Sequence, residues 1–95
     1  PYGRLAAVII SGLDENLVDQ AAGELRKKTP MMSGITVLGP APAPIAVLRG
    51  RHRRRLLVQT KKHINLQEFL RRWVLPFRSR GSIRITIDVD PYSFM

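Results

Sequence analysis

Residues 39 to 59 read Gly39-Pro-Ala-Pro-Ala-Pro-Ile-Ala-Val-Leu-Arg-Gly-Arg-His-Arg-Arg-Arg-Leu-Leu-Val-Gln59, in the middle of a chain of 95 residues. Pro40, Pro42 and Pro44 alternate with alanine. Each proline fixes its own φ and turns the residue before it away from the helical region, so this arm is extended. Its missing N–H groups predict only partial pairing. Gly50 marks a turn, from which an arginine-rich strand returns over residues 53–60. Two extended segments thus follow each other with no helix between them, and the remaining elements must be arranged around that hairpin.

On the N-terminal side, residues 4–11 form an apolar, β-branched run ended by Gly12, which predicts a central strand apolar on both faces. Asp14 is placed to cap a helix, with Glu15 near its positive end. Leu17, Val18, Ala21, Ala22 and Leu25 make one helical stripe. Arg26, Lys27 and Lys28 load the last turn with the favourable sign, and Pro30 stops it. Residues 31–34 read as a loop, and 35–38 as a second strand running into the proline arm.

On the C-terminal side, residues 61–64 are a basic connection. Asn65 caps a second helix, with Glu68 three residues later in a near capping box. Leu66, Phe69, Leu70, Trp73, Val74 and Phe77 follow the spacing of a core-facing stripe, and Pro76 ends or kinks it. Ile83, Ile85, Ile87 and Val89 alternate with Arg84, Thr86, Asp88 and Asp90, which predicts a last strand with one buried and one wet face. The order β-α-β-β-α-β is that of an α+β, ferredoxin-like split β-α-β fold. Two helices cover one face of a four-stranded antiparallel sheet and leave the other open. The last strand lies antiparallel to the first, so Arg4 is expected beside Asp88 or Asp90.

Ninety-five residues make a single domain, 1–95, with one modest core. Its opening at Pro1, directly before a strand-like run, reads as a segment of a longer protein. There is no cysteine, which excludes disulfides and a thiolate zinc site within these residues. No apolar run approaches the ~20 residues of a membrane helix, and neither a secretory leader nor a membrane partner is expected. Sixteen Lys or Arg against seven Asp or Glu, a net charge of +9, point to a polyanionic partner such as nucleic acid.

The candidate site is the arginine cluster. Arg49, Arg51, Arg53, Arg54 and Arg55 place five guanidinium groups within seven residues without a carboxylate among them. A charged edge strand would suppress aggregation as well with lysines or mixed signs, whereas the guanidinium fork matches phosphate oxygens. One contiguous outward groove is expected, extended by Lys61 and Lys62. If about five arginines each neutralise a phosphate, log affinity falls against log salt with a slope of roughly −3.5 to −4.5. A second candidate lies at the start of the second helix, where Lys62, His63, Gln67 and Arg71 with free backbone N–H groups make an anion pocket suited to an acidic peptide or phosphate. Ordinary capping with solvated lysines is the alternative there.

Other constellations read as structural. Asp88 and Asp90 are expected in ion pairs, His52 and His63 in the basic surface, and Trp73 and Phe77 in the core. No catalytic residue, metal ligand or cofactor is assigned: no phosphate-binding glycine loop, zinc-helix signature or nucleophile–base pair is present. An acylphosphatase-like reaction needs an anion-binding arginine loop after the first strand, where Ser11, Gly12, Leu13 and Asp14 stand. Three classes are therefore weighed: a DNA-binding and docking domain, a structural RNA-binding module of ribosomal type, and a small enzyme.

The segment from Val37 to Arg51, residues 53–58, Asn65-Leu-Gln-Glu-Phe69 and Ile87-Asp-Val-Asp-Pro-Tyr-Ser-Phe-Met95 together resemble the C-terminal domain of primosomal protein N′, the PriA replication-restart helicase family of bacteria. The likeness covers nearly the whole chain, and the closing motif looks like that family's natural C-terminus. It implies a cytoplasmic, nucleoid-associated 3′–5′ DNA helicase whose ATP, magnesium and cysteine-bound zinc sites lie upstream. It also implies a fold similar to ribosomal protein S10 that helps bind forked or single-stranded DNA. The resemblance further implies contacts with other primosome proteins and with the acidic tail of single-stranded DNA-binding protein, the latter at the start of the second helix. Gln67 and the basic residues before it match that place, although His63 stands where a stronger cation is expected. His52 and Arg54 replace the aromatics that the family commonly has between these arginines, which favours backbone contacts over base stacking.

Overall fold

The first strand, β1 (Arg4–Gly12), has a neighbour on each edge, and this decides where everything else lies. In the computed structural model, which describes residues 3–90, the chain continues through α1 (Glu15–Lys27), β2 (Ile35–Leu48), β3 (Arg51–Thr60), α2 (Leu66–Val74) and β4 (Arg84–Val89). The strand order is β2-β3-β1-β4 with every pair antiparallel, the predicted split β-α-β arrangement.

Register explains the faces. Ala6, Val8 and Ile10 stand opposite Val58, Leu56 and Arg54 on one side of β1 and opposite Val89, Ile87 and Ile85 on the other. Directly opposed residues share a face, so this set lies under the helices. Leu5, Ala7 and Ile9 point the other way, with Gln59, Leu57 and Arg55 across from them. Ala7 is buried there and Leu5 and Ile9 half-buried, so the open face is apolar along its middle.

Each helix forms for reasons visible locally. The Asp14 side chain accepts hydrogen bonds from the N–H groups of Asn16 and Leu17, and Val18, Ala21, Ala22 and Leu25 are the buried stripe of α1. In α2, Asn65 Oδ1 accepts from Glu68 N at 3.0 Å, and Leu66, Phe69, Leu70 and Trp73 are buried. The Glu68 carboxylate turns forward to Arg71 rather than completing a reciprocal box. α2 ends at Val74, with Leu75 as its C-cap and Pro76 beyond. Phe77 therefore packs against the core from the following turn rather than from the helix stripe. The two helices meet where Trp73 Nε1 donates to the Leu25 carbonyl at 2.8 Å. Trp73 also stacks at a tilt on Phe69, with centroids 5.7 Å apart.

Three features of the strands differ from the sequence expectations. β2 does not stop at residue 38 but continues through the proline arm to Leu48, and β3 starts at Arg51. The arm is only partly paired: Ala41 and Pro42 face Arg55 and Arg54, pairing resumes at Val47, and the register shifts on both sides. The first shift falls at Gly39, whose φ of +103° and the nearby Arg55 carbonyl leave no room for a side chain. The third difference is β4. Its inward residues Ile85 and Val89 are only half-buried and Ile87 is exposed, because α1 lies over β3, β1 and β2 rather than over this edge.

At the sheet's end, Asp90 accepts from Arg4 Nε and from Leu5 N, both at 2.9 Å, which realises one of the two predicted partners of Arg4. The rest of the closing motif, residues 91–95, lies outside the described residues.

Two outcomes follow. Trp73→Ala removes a buried ring and its hydrogen bond to the Leu25 carbonyl, so a loss of about 3–5 kcal/mol is expected in urea denaturation. The Leu5 N–H, and then Arg4, hold the Asp90 carboxyl below its ordinary range. Its contribution is complete above the ordinary aspartate pKa of about 3.9 and is lost as the pH falls through the lower folded value. Asp90→Asn should flatten that acid limb of the stability profile.

Candidate nucleic-acid interface

The turn that joins β2 to β3 consists of Arg49 and Gly50, with φ of +52° and +77°. Two left-handed residues between paired strands make the primed hairpin turn that matches strand twist. Glycine adopts this conformation freely, but arginine does so at a cost of about 1–2 kcal/mol. Arg49 is thereby held exposed at the tip.

Strand alternation then divides the cluster. Arg51, Arg53 and Arg55 belong to the open face of the sheet, whereas His52 and Arg54 point to the helix side. Arg54 Nε donates to Asp19 Oδ1 and its Nη2 to Glu15 Oε2, each at 2.8 Å, with only 13% of the side chain exposed. Burial lowers its pKa, but the bonds to Glu15 and Asp19 outweigh this and raise it overall. The single outward groove expected from the sequence is therefore corrected at Arg54, which fastens α1 to β3. The block of arginines looked uniform in sequence, and the two carboxylates that meet Arg54 come from 35 and 39 residues away.

The open-face arginines have different partners. Arg51 Nη2 donates to the Ser82 carbonyl at 2.5 Å and the Ser11 carbonyl at 3.2 Å, tying the end of β1 to the loop before β4. Arg53 Nη1 donates to the Ile45 carbonyl at 2.9 Å. That bond closes an arch, because residues 43–46 of β2 stand where β3 has Arg53 alone. Carbonyl acceptors orient a guanidinium without cancelling its charge. Among the described residues, no carboxylate lies within ion-pair distance of Arg49, Arg51 or Arg53. Each guanidinium has five donors, so donors remain for an anion. Arg55 lies on the same face opposite Ile9 and is half-buried.

Lys61 and Lys62 do not extend this groove. They are exposed beyond Thr60, at the other end of β3, about 30 Å from Arg51 by strand rise. With exposed His63 and Gln67 they flank the start of α2. Gln67 and Arg71 share a helix face by their spacing. The bond from Arg71 holds Glu68 below its ordinary pKa, and Glu68 raises that of Arg71 in return. This second cluster thus contains a carboxylate and a committed Arg71, and among the described residues Lys61 and Lys62 have no carboxylate within ion-pair distance. No group of three or more His, Cys, Asp or Glu that could hold a metal occurs among the described residues.

Sequence reasoning missed the apolar end of the hairpin. Ile45, Val47 and Leu48 are 54%, 52% and 46% exposed, beside the unopposed arginines. The signal was a β-branched run without polar alternation, overshadowed by the prolines before it.

The family model described as primosomal protein N C-terminal domain matches residues 1–92. Similar proteins include the replication restart protein PriA of Rickettsia felis, 32% identical over 94 residues, 99% of this chain and 14% of that protein. The protein of the same name from Haemophilus influenzae is 35% identical over 82 residues, 85% of this chain and 11% of its own. A probable replication restart protein PriA of Deinococcus radiodurans is 34% identical over 95 residues, 98% of this chain and 10% of its own. The chain spans about a seventh or less of these relatives.

The division of the cluster is testable. Arg54→Ala should cost about 1–2 kcal/mol in urea denaturation, through two partly exposed ion pairs and the lost packing of its stem. It should leave oligonucleotide affinity within twofold, whereas Arg53→Ala should weaken it.

Proposed function

The chain belongs to the primosomal protein N C-terminal domain family, and from that premise we propose that its β2–β3 hairpin and open sheet face bind forked or single-stranded DNA for a bacterial replication-restart helicase. The observation that carries this reading is the alignment of Arg51 and Arg53 on one side of β3, leading to Arg49 at the tip, with no carboxylate offsetting them among the described residues. Charge of one sign held in place by carbonyl bonds is preorganised for a phosphate chain. It positions DNA without reading sequence.

In this reading the domain does no chemistry. Hydrolysis of ATP with magnesium, and any zinc, belong to segments of the helicase outside these residues, and the protein works in the bacterial cytoplasm at the nucleoid. No helix is long and apolar enough to cross a membrane. The start of α2, with Lys62, His63, Gln67 and Arg71, serves as a docking point for the acidic tail of single-stranded DNA-binding protein, beside contacts with other primosome proteins.

Fluorescence anisotropy against forked, single-stranded and duplex DNA, and structured RNA of equal charge, tests the first part. Three phosphate contacts give a slope of log affinity against log salt of roughly −2.1 to −2.7. Arg49→Ala with Arg53→Ala should reduce its magnitude by about 1.4–1.8. An unchanged slope sinks the groove, and equal affinity for the RNA favours the ribosomal-type module. Arg49→Gly separates binding from folding: it relieves the strained turn and should leave stability unchanged or higher while weakening DNA binding. For the docking point, an acidic peptide should bind less tightly to Lys62→Ala and Gln67→Ala, and identical affinities would remove it.

A further inference from the structure

The tip of the β2–β3 hairpin combines features that phosphate binding leaves unused. Val47 stands opposite His52 on the helix side of the sheet, and Leu48 stands opposite Arg51 on the open side. Both are about half exposed, as is Ile45 in the arch behind them. The end of the hairpin is therefore apolar on both flanks, with Arg49 between the strands and Arg51 and Arg53 behind. It is also braced. The turn is only two residues long, Arg51 holds the Ser82 and Ser11 carbonyls, and Arg53 holds the arch through Ile45. No acidic residue lies between Leu25 and Gln67 in the sequence.

Apolar groups on two flanks of a stiff, narrow projection suit a cleft between two walls. Cations just behind them suit walls that are apolar inside and anionic outside. Two diverging nucleic-acid strands have that chemistry, since the last base pair and the first unpaired bases expose flat apolar surfaces within a phosphate boundary. In DNA-bending proteins, side chains such as Leu and Ile act as wedges between bases. We propose that the hairpin tip is a junction wedge, with Val47 and Leu48 against the bases where two strands part and Arg49, Arg51 and Arg53 on the adjoining phosphates. This rests on the nucleic-acid reading above and adds to it what the tip recognises: an unstacked junction rather than a continuous strand.

The test uses the full-length protein and a fork carrying 2-aminopurine at the first unpaired position, with uninterrupted duplex and single strand as companions. The unmodified protein should change the fluorescence at the junction. Val47→Ser with Leu48→Ser should abolish that change and reduce the preference for fork over duplex roughly tenfold, from the apolar burial lost. Duplex affinity and salt slope should stay as they were. Val47→Lys with Leu48→Lys should strengthen duplex binding and still abolish the junction signal. A junction signal that survives either double substitution overturns the wedge and leaves DNA binding standing. So does an equal loss on all three DNAs, which places the tip on the backbone. Failure of the unmodified protein to bind any DNA overturns both readings.

Discussion

The pairing of β3 with β1 is the constraint on which the rest depends. With Val8 set against Leu56 and Ala6 against Val58, the apolar halves of both strands lie beneath α1 and α2. The arginines farther along β3 are then sorted by the period of the strand, alternately outward and inward. A one-residue slip would send Leu56 and Val58 to solvent and bring Arg53 and Arg55 under the helices. The core and the charge pattern are therefore one decision. Packing specifies the register, and the register specifies which guanidiniums an anion can reach.

Within that frame the arginines hold the hairpin as well as carrying its charge. Arg54 joins α1 to β3 through two carboxylates, Arg51 joins the ends of three segments through carbonyls, and Arg53 secures the arch of β2. Lysine would serve these bonds poorly, because a guanidinium reaches two acceptors in fixed directions while an ammonium is a point charge. The carboxylate-bound arginine stabilises the domain at the expense of its own availability. The carbonyl-bound ones keep their charge for a ligand, and the same side-chain geometry supports both uses.

Much of the fold was legible because its signals are local. Asp14, Asn65 and Pro76 mark helix ends, the stripe from Leu66 to Trp73 marks a core face, and Arg4 finds Asp90 as the topology requires. What escaped the sequence depends on distant partners. Nothing near Arg54 in the chain reveals that α1 will bring Glu15 and Asp19 to it. The exposure of Ile87 follows from where the helices sit over the sheet, and the reach of β2 from bulges that let a proline-rich segment stay in the ladder. The family likeness pointed to DNA, while the local geometry distinguishes arginines held by carbonyls from the one paired with two carboxylates.

The prolines of β2 have a consequence for the domain's behaviour at high concentration. β2 is an outer strand, and a long outer strand with apolar residues such as Ile45 and Val47 would ordinarily recruit a neighbour's backbone. Pro40, Pro42 and Pro44 carry no N–H to offer a neighbouring strand, and the arch at residues 43–46 breaks the line of the edge. The strand that exposes Ile45, Val47 and Leu48 is thus also poorly built to template a fibril.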